Sequence, residues 1–388
     1  MSSLLIHNAR IVRPGEGIAA GSLRIDSGRI AQVGVSGRVP PAGADQLDAG
    51  GRWLTPGLID IHTHGIHRFQ YDAGPQHLTG AAGVLGAYGT TCVLPTLVPA
   101  PAGDLLPRLE RIADALPTIG GVCIPGLHLE GPFVAVTGAA CPTLPGDVRL
   151  LDEMIAACRG RVAAMSLSPE TPNVLPVIER LRERGIAAFL THTRATVEQT
   201  QAAIDAGATH ATHFYDVFPV PPETEPGARP VGAVETILAD PRATVDFIGD
   251  GCHVHPVAIR AALAAKGHTG VALISDSNIG AGLPPGEYDT PWGYRVRVRS
   301  GDGARNVNNN LLAGSALTMN VGMANLLRWL ELPPEHVWAM GTSTPARIVG
   351  LAGKGRVEVG ADADLVLWDD DLTPARTWVG GTCVYERR

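Results

Sequence analysis

The chain has 388 residues, 45% of them hydrophobic and 18% charged, with a formal net charge of −7. That length and apolar content suit a soluble globular protein built as one large barrel domain with a small companion, or as two or three ordinary domains. The acidic balance leaves no basic footprint for nucleic acid and nothing to draw the chain to an anionic membrane, so neither partner is expected.

The opening run MSSLLIHNARIVRPGEG lacks the basic, apolar and small-residue order of a secretory leader. Residues 1–52 then alternate short strand-like runs with turns: LLIHNARIV, GSLRIDSGRIAQVG and DQLDAGGRWL. From about Lys354 the C-terminal end reads the same way, in GRVEVGADADLVLWD and TWVGGTCVYERR. The expectation is one small β-sandwich built from residues 1–52 and 354–388.

Residues 53–353 alternate apolar strand-like runs with helical stretches, the signature of parallel β/α units. Strands are expected at 57–62, 91–95, 122–129, 162–167, 186–191, 208–212, 244–248 and 271–275, with helices among them at 149–159, 173–184, 196–206, 233–239 and 256–266. The most apolar stretch, Leu78 to Ala102, is broken by Gly, Thr and Pro and reads as a helix running into a strand. Eight strands over this span fit an α/β fold of the (β/α)8 TIM-barrel type. The Pro/Gly-rich segment 219–232 reads as a loop at the site. Six scattered cysteines (Cys92, Cys123, Cys141, Cys158, Cys252 and Cys383) form no C-x-x-C pair. They read as reduced thiols packed in the core of a cytoplasmic protein.

A barrel gathers its chemistry at the C-terminal ends of its strands. In GLIDIHTHGIH the first strand ends at His62 and His64, which alternation places on one face. The third ends at Glu130, the fifth at His192 and the sixth at His213; His253 follows the seventh, and the eighth ends at Asp276. Singly, each has a bland reading as a hydrogen-bonded loop residue or a cap. Together, four strand-end histidines and two carboxylates on one rim are what metal-assisted hydrolysis of a small-molecule substrate needs, with one or two divalent ions.

The segments PGLIDIHTHG, HLEGPF, LTHTRAT, GATHATHFYD, GDGCHVHP and LISDSN, with the terminal GRVEVGADADLVLWD, resemble the amidohydrolase superfamily over nearly the whole chain. Within it they most resemble the N-acetylglucosamine-6-phosphate deacetylases. The resemblance implies Glu130, His192 and His213 as ligands of a principal metal, zinc by preference. It assigns His62 and His64 to a second ion that Glu130 can bridge. It implies Asp276 as general base and then acid, His253 as a substrate contact that polarises the carbonyl, and a homodimer. His255 reads as structural. Many superfamily relatives bridge two metals with a carboxylated lysine on the fourth strand; this chain has only Lys266 and Lys354, neither near that strand.

Three stretches depart from the deacetylase pattern. After His213, where an aromatic and Asn-Ala are usual, the chain has Phe214-Tyr215-Asp216-Val217. In PPETEPG, Thr224 stands where an arginine usually meets the phosphate, and the nearest arginine is Arg229. Thr137-Gly138-Ala139-Ala140 replaces a Lys-Gly-Ala-His element. Tyr215, Asp216, Val217, Thr224, Arg229 and His253 are therefore the expected substrate-side residues. The expected reaction is deacylation, of an N-acetyl group above all, of an amino sugar or related amine. Its competitors are a true sugar-phosphate deacetylase with a rearranged phosphate site, D-amino-acid deacylation, nucleobase deamination, and an inactive scaffold.

Overall fold

The computed structural model describes residues 3–34, 45–100, 104–138 and 142–387. Ala102, Ala139, Ala140 and Cys141 lie outside them.

Eight parallel strands form one sheet in chain order: Leu58–Thr63, Thr90–Leu97, Leu127–Glu130, Val162–Leu167, Ala187–Leu190, Ala208–Ala211, Thr244–Ile248 and Val271–Ile274. We refer to them as the first to eighth barrel strands. The first and eighth come together through the Asp276 amide, which donates to the His62 carbonyl at 3.0 Å, and through Asp60, whose carboxylate accepts from Ser275. Helices follow each strand, at Pro75–Leu85, Leu105–Ala115, Val148–Ala157, Val174–Glu183, Val197–Ala206, Ala233–Ala239, Pro256–Lys266 and Met319–Trp329. The expected (β/α)8 barrel is the observed one.

The reasons are local. Thr196 and Gln199 form a reciprocal capping box that starts the fifth helix. Pro256 occupies the first turn of the seventh, where His255 accepts from the Val257 amide. Leu78, Leu109, Leu151, Val177 and Ile259 turn the helices' apolar faces onto the strands in one large core. Each such fully buried side chain contributes about 1.5–3 kcal/mol relative to exposure. A smaller apolar cluster takes Ile59, Ile61, Leu94, Phe189, Ile248 and Ile274 from strands around the ring.

The third strand begins at Leu127, later than residue 122, because Pro125 has no amide to offer a ladder. Cys123 makes only an isolated bridge to Cys92. An antiparallel three-stranded insert, Gly286–Asp289, Arg295–Val298 and Ala304–Asn306, follows the eighth strand and was not foreseen in the sequence.

The chain ends build a separate eight-stranded sheet, mainly antiparallel. From one edge it runs Thr382–Glu386, Pro374–Val379, Leu365–Trp368, Trp53–Pro56, Leu4–Arg13, Gly17–Asp26 and Arg29–Gly34, with Asp45–Asp48 also beside Leu4–Arg13. The two ends meet where Trp53–Pro56 pairs antiparallel with Leu365–Trp368. The joining strand thus lies just beyond residue 52. Ile6, Leu23, Ile30, Leu54, Leu365 and Trp378 form this sheet's own core. No helix among the described residues is long and apolar enough to cross a membrane.

A candidate active site at the strand ends

Glu130, at the end of the third strand, is the hub. Its Oε1 lies 3.2 Å from His192 Nε2, 3.2 Å from His213 Nε2 and 3.8 Å from His62 Nε2, while its Oε2 lies 3.2 Å from His64 Nε2. Asp276 approaches from the other side, its Oδ1 3.3 Å from His62 Nε2 and 3.5 Å from His64 Nε2. All six side chains are buried.

Two triads have ligand atoms mutually within 4.8 Å: His62, Glu130 and His213, and His62, His64 and Asp276. Neither ring nitrogen of His62, nor Nδ1 of His64, finds an aligned hydrogen-bond partner. Buried polar atoms left so cost about 1–3 kcal/mol each, which favours an electrophilic guest. The donor set therefore fits a divalent cation.

Backbone geometry turns these side chains inward. His192 (φ 47°), His213 (φ 35°) and Asp276 (φ 45°) are all left-handed at the ends of their strands, a conformation that non-glycine residues rarely hold without support. Support is present at each. Asp246 accepts from the His213 amide at 2.5 Å and from the Thr212 hydroxyl, and His210 Nε2 pairs with it at 2.8 Å. The His192 carbonyl accepts from the Val136 amide at 3.0 Å and the Ser168 hydroxyl at 2.9 Å. The Asp276 carbonyl accepts from the Ser315 amide at 2.7 Å.

Burial alone would raise the Glu130 carboxyl, but His62 and the hydrogen bonds of His192, His213 and His64 outweigh it and hold it well below its usual range. Burial is likewise outweighed at Asp276, chiefly by His62, so that carboxyl is lowered too. Burial opposes charge on His64 and His213, yet Glu130 beside them raises the first to about 9 and the second to about 10. These opposite shifts favour an ionised Glu130 beside protonated His64 and His213.

The cavity above these groups measures about 100 Å³. It is lined by His64, Glu130, His192, His213, His253 and Asp276, with Asp216, Val217, Val98, Gly138, Trp292, Leu312 and Gly314. His253 is fixed by Asp250, whose Oδ2 lies 2.7 Å from Nδ1. Burial pushes the His253 pKa down, but the Asp250 hydrogen bond and charge, helped by Asp216 and Asp276, lift it above the ordinary value. Trp292, from the three-stranded insert, stands edge-on to His64 with ring centres 5.4 Å apart.

Of the remaining substrate-side expectations, Asp216 and Val217 line this cavity, whereas Tyr215 and Arg229 line a neighbouring one of about 400 Å³. Thr224 is exposed on the loop. The Arg229 side chain is 82% exposed, and its guanidinium pairs with Glu235 at 2.9 Å.

Four contributors escaped the sequence reading. His128 lies beneath the hub, its Nδ1 2.8 Å from the Ile61 carbonyl oxygen and its Nε2 2.6 Å from the Ser166 hydroxyl. Its ring is 4.9 Å from that of His62. Strand alternation carries a signal for it, since His128 and Glu130 are two apart, like His62 and His64. Asp246 had a similar signal as a lone carboxylate in the apolar run TVDFI. Asp250 and Trp292 had none, because only the fold brings them to the site.

Residues 53–384 match the amidohydrolase family. The chain is 31% identical over 386 residues to an N-acetylglucosamine-6-phosphate deacetylase of Lysinibacillus sphaericus, covering 98% of this chain and 97% of that one. It is 32% identical to an N-acetylgalactosamine-6-phosphate deacetylase of Escherichia coli O157:H7, covering 92% and 93%. Its structure superposes on that of a mutant N-acetyl-D-glucosamine-6-phosphate deacetylase of Mycobacterium smegmatis in complex with N-acetyl-D-glucosamine-6-phosphate. That match has a TM-score of 0.87 and 30% identity, covering 99% of this chain and 100% of the other.

Proposed function

This chain belongs to the amidohydrolase family, and from that membership we propose that it hydrolyses the amide of an N-acyl amine, releasing an acetyl group from the nitrogen of an amino sugar or related amine. Its full-length likeness to hexosamine-phosphate deacetylases supports C–N amide cleavage. The observation that carries the reading is the convergence of four buried histidines on Glu130 with Asp276 beside them.

Glu130, His192 and His213 would hold one divalent cation, and His62 and His64 would serve a second. A donor set of imidazole nitrogens and carboxylate oxygens suits zinc. A bound divalent cation supplies Lewis acidity toward an amide carbonyl and brings the pKa of water down to about 7.

The chain's own groups supply the rest. Asp276 is ionised at neutral pH, and its Oδ1 faces His62 and His64. Its Oδ2 is left to take a proton from the attacking water and pass it to the departing nitrogen. His253, held at Nδ1 by Asp250, keeps Nε2 as a donor for the acyl oxygen, where negative charge develops. Trp292, Val98 and Leu312 give the cavity an apolar wall, which strengthens the electrostatic interactions inside it. The described cysteines are all free thiols, which supports a reducing, cytoplasmic setting.

The test is acetate release from a panel of N-acetyl amines by zinc-loaded protein, with and without a chelator. Chelator-sensitive release is the expected result. No hydrolysis of any amide, or hydrolysis indifferent to metal removal, overturns the proposal.

A further inference from the structure

The relatives named above act on sugars carrying a 6-phosphate, a group that offers only acceptors and carries up to two negative charges. Proteins hold such groups with arginine, lysine or a row of backbone amides. Among the described residues, no arginine or lysine lines the cavity above Glu130. The nearby cations belong elsewhere. Arg194 and Arg229 line the neighbouring cavity, and Arg229 is already paired with Glu235. Arg299 and Arg328 line a third cavity, beside Asp250 and Trp329.

What the site cavity does contain is a further carboxylate. Asp216 follows His213 on the sixth strand-end loop, is half-buried and lines the cavity. Among the described residues its carboxylate has no hydrogen-bond or ion-pair partner. Its backbone is pinned, the amide donating to the His213 carbonyl at 2.9 Å and the carbonyl oxygen lying 3.3 Å from His213 Nδ1. The side chain is thus held on a fixed base.

A carboxylate held this way accepts hydrogen bonds from hydroxyl or ammonium groups and repels a phosphate. Resting on the deacylase reading, we infer that the substrate is an unphosphorylated N-acyl amine that presents a hydroxyl or ammonium group to Asp216. The floor of the site gathers the candidate metal ligands, while the wall that meets the rest of the substrate is built for a neutral or cationic group. Asp216 is the specificity-determining residue of that wall.

The experiment compares kcat/KM of zinc-loaded wild type for N-acetyl-D-glucosamine, its 6-phosphate and its 6-amino-6-deoxy analogue. The expected result is a preference of at least about ten-fold for the hydroxyl or amino compound over the phosphate, equivalent to about 1.4 kcal/mol. Asp216→Asn should narrow that ratio, mainly by lowering KM for the phosphate. Leu312→Arg, which places a cation at another position lining the same cavity, should act in the same direction without changing Asp216. A wild-type preference for the phosphate overturns this inference and leaves the deacylase reading standing. A ratio unmoved by Asp216→Asn in folded, metal-loaded protein overturns the role of Asp216. No turnover of any N-acyl amine overturns the deacylase reading and this inference with it.

Discussion

Asp250 Oδ2 lies 2.7 Å from His253 Nδ1, and the same carboxylate accepts from the amides of Cys252 and His253. The acid thus fixes the loop, the ring orientation and the proton on Nδ1 together. If the protonated imidazole is the acyl-oxygen donor, activity falls as pH rises through the raised His253 pKa. Removing the Asp250 charge lowers that pKa, so Asp250→Asn should move the alkaline limb of the kcat/KM profile to lower pH. We expect a loss of about 10–100-fold in kcat/KM at neutral pH, in the range seen for groups that orient a site residue, with metal content unchanged. An unmoved pH profile would show that Asp250 serves the loop alone.

Glu130 meets four imidazoles, which no other residue of the cluster does. Glu130→Gln should weaken metal affinity by more than the 10–100-fold typical of an outer-shell change, and by more than His62→Asn or His64→Asn. Competition with a fluorescent chelator reads this ranking directly. Equal losses at all three positions would remove Glu130 from the centre of the site.

Asp276→Asn keeps the side-chain shape and leaves both backbone hydrogen bonds of residue 276 in place. The amide cannot accept a proton, so turnover should drop by about 10²–10⁴-fold while metal content and thermal stability stay near wild type. Near-normal turnover in metal-loaded protein would move the base elsewhere, with His253 the first candidate.

The chelated protein should behave differently with pH from the loaded one. His64 and His213 are raised from 6.5 to about 9 and about 10 by Glu130. A raised folded-state pKa contributes stability that is complete below the unfolded value and is lost as pH climbs through the folded one. Thermal melts of chelated protein should therefore fall between pH 7 and pH 10. Metal must also displace these protons, so binding near pH 7 should release more than one proton per site. Calorimetry in buffers of different ionisation enthalpy measures that number; a value near zero would contradict protonated His64 and His213 in the chelated protein.

The strands were legible because their short, mostly apolar runs alternate with helical stretches, and the strand-end groups were legible because period-two alternation and one barrel rim leave little freedom. The Gly286–Asn306 insert was not. Its strands have three or four residues each, separated by turn-rich stretches such as Ser300-Gly301-Asp302-Gly303. Trp292 reaches His64 only through that insert, so no spacing rule could pair them. Thr224 and Arg229 were expected at the site because the deacetylase pattern places a phosphate-binding arginine in this loop. In three dimensions the loop carries Arg229 to the neighbouring cavity and Thr224 into solvent. Sequence distance along a long loop says little about where a side chain ends up.

The terminal sheet has a consequence for how the chain is made. Trp53–Pro56 pairs with Leu365–Trp368, so its partner emerges only after roughly 300 further residues, about 15–60 s of synthesis at 5–20 residues per second. Throughout that interval the N-terminal meander carries an open edge. The barrel, whose neighbouring strands follow one another in sequence, can assemble progressively on the ribosome. The sheet closes only when Leu365–Trp368 comes to lie beside Trp53–Pro56. Loss of the C-terminal strands should therefore leave the catalytic rim encoded intact while exposing a sticky strand edge, making the truncated protein prone to self-association.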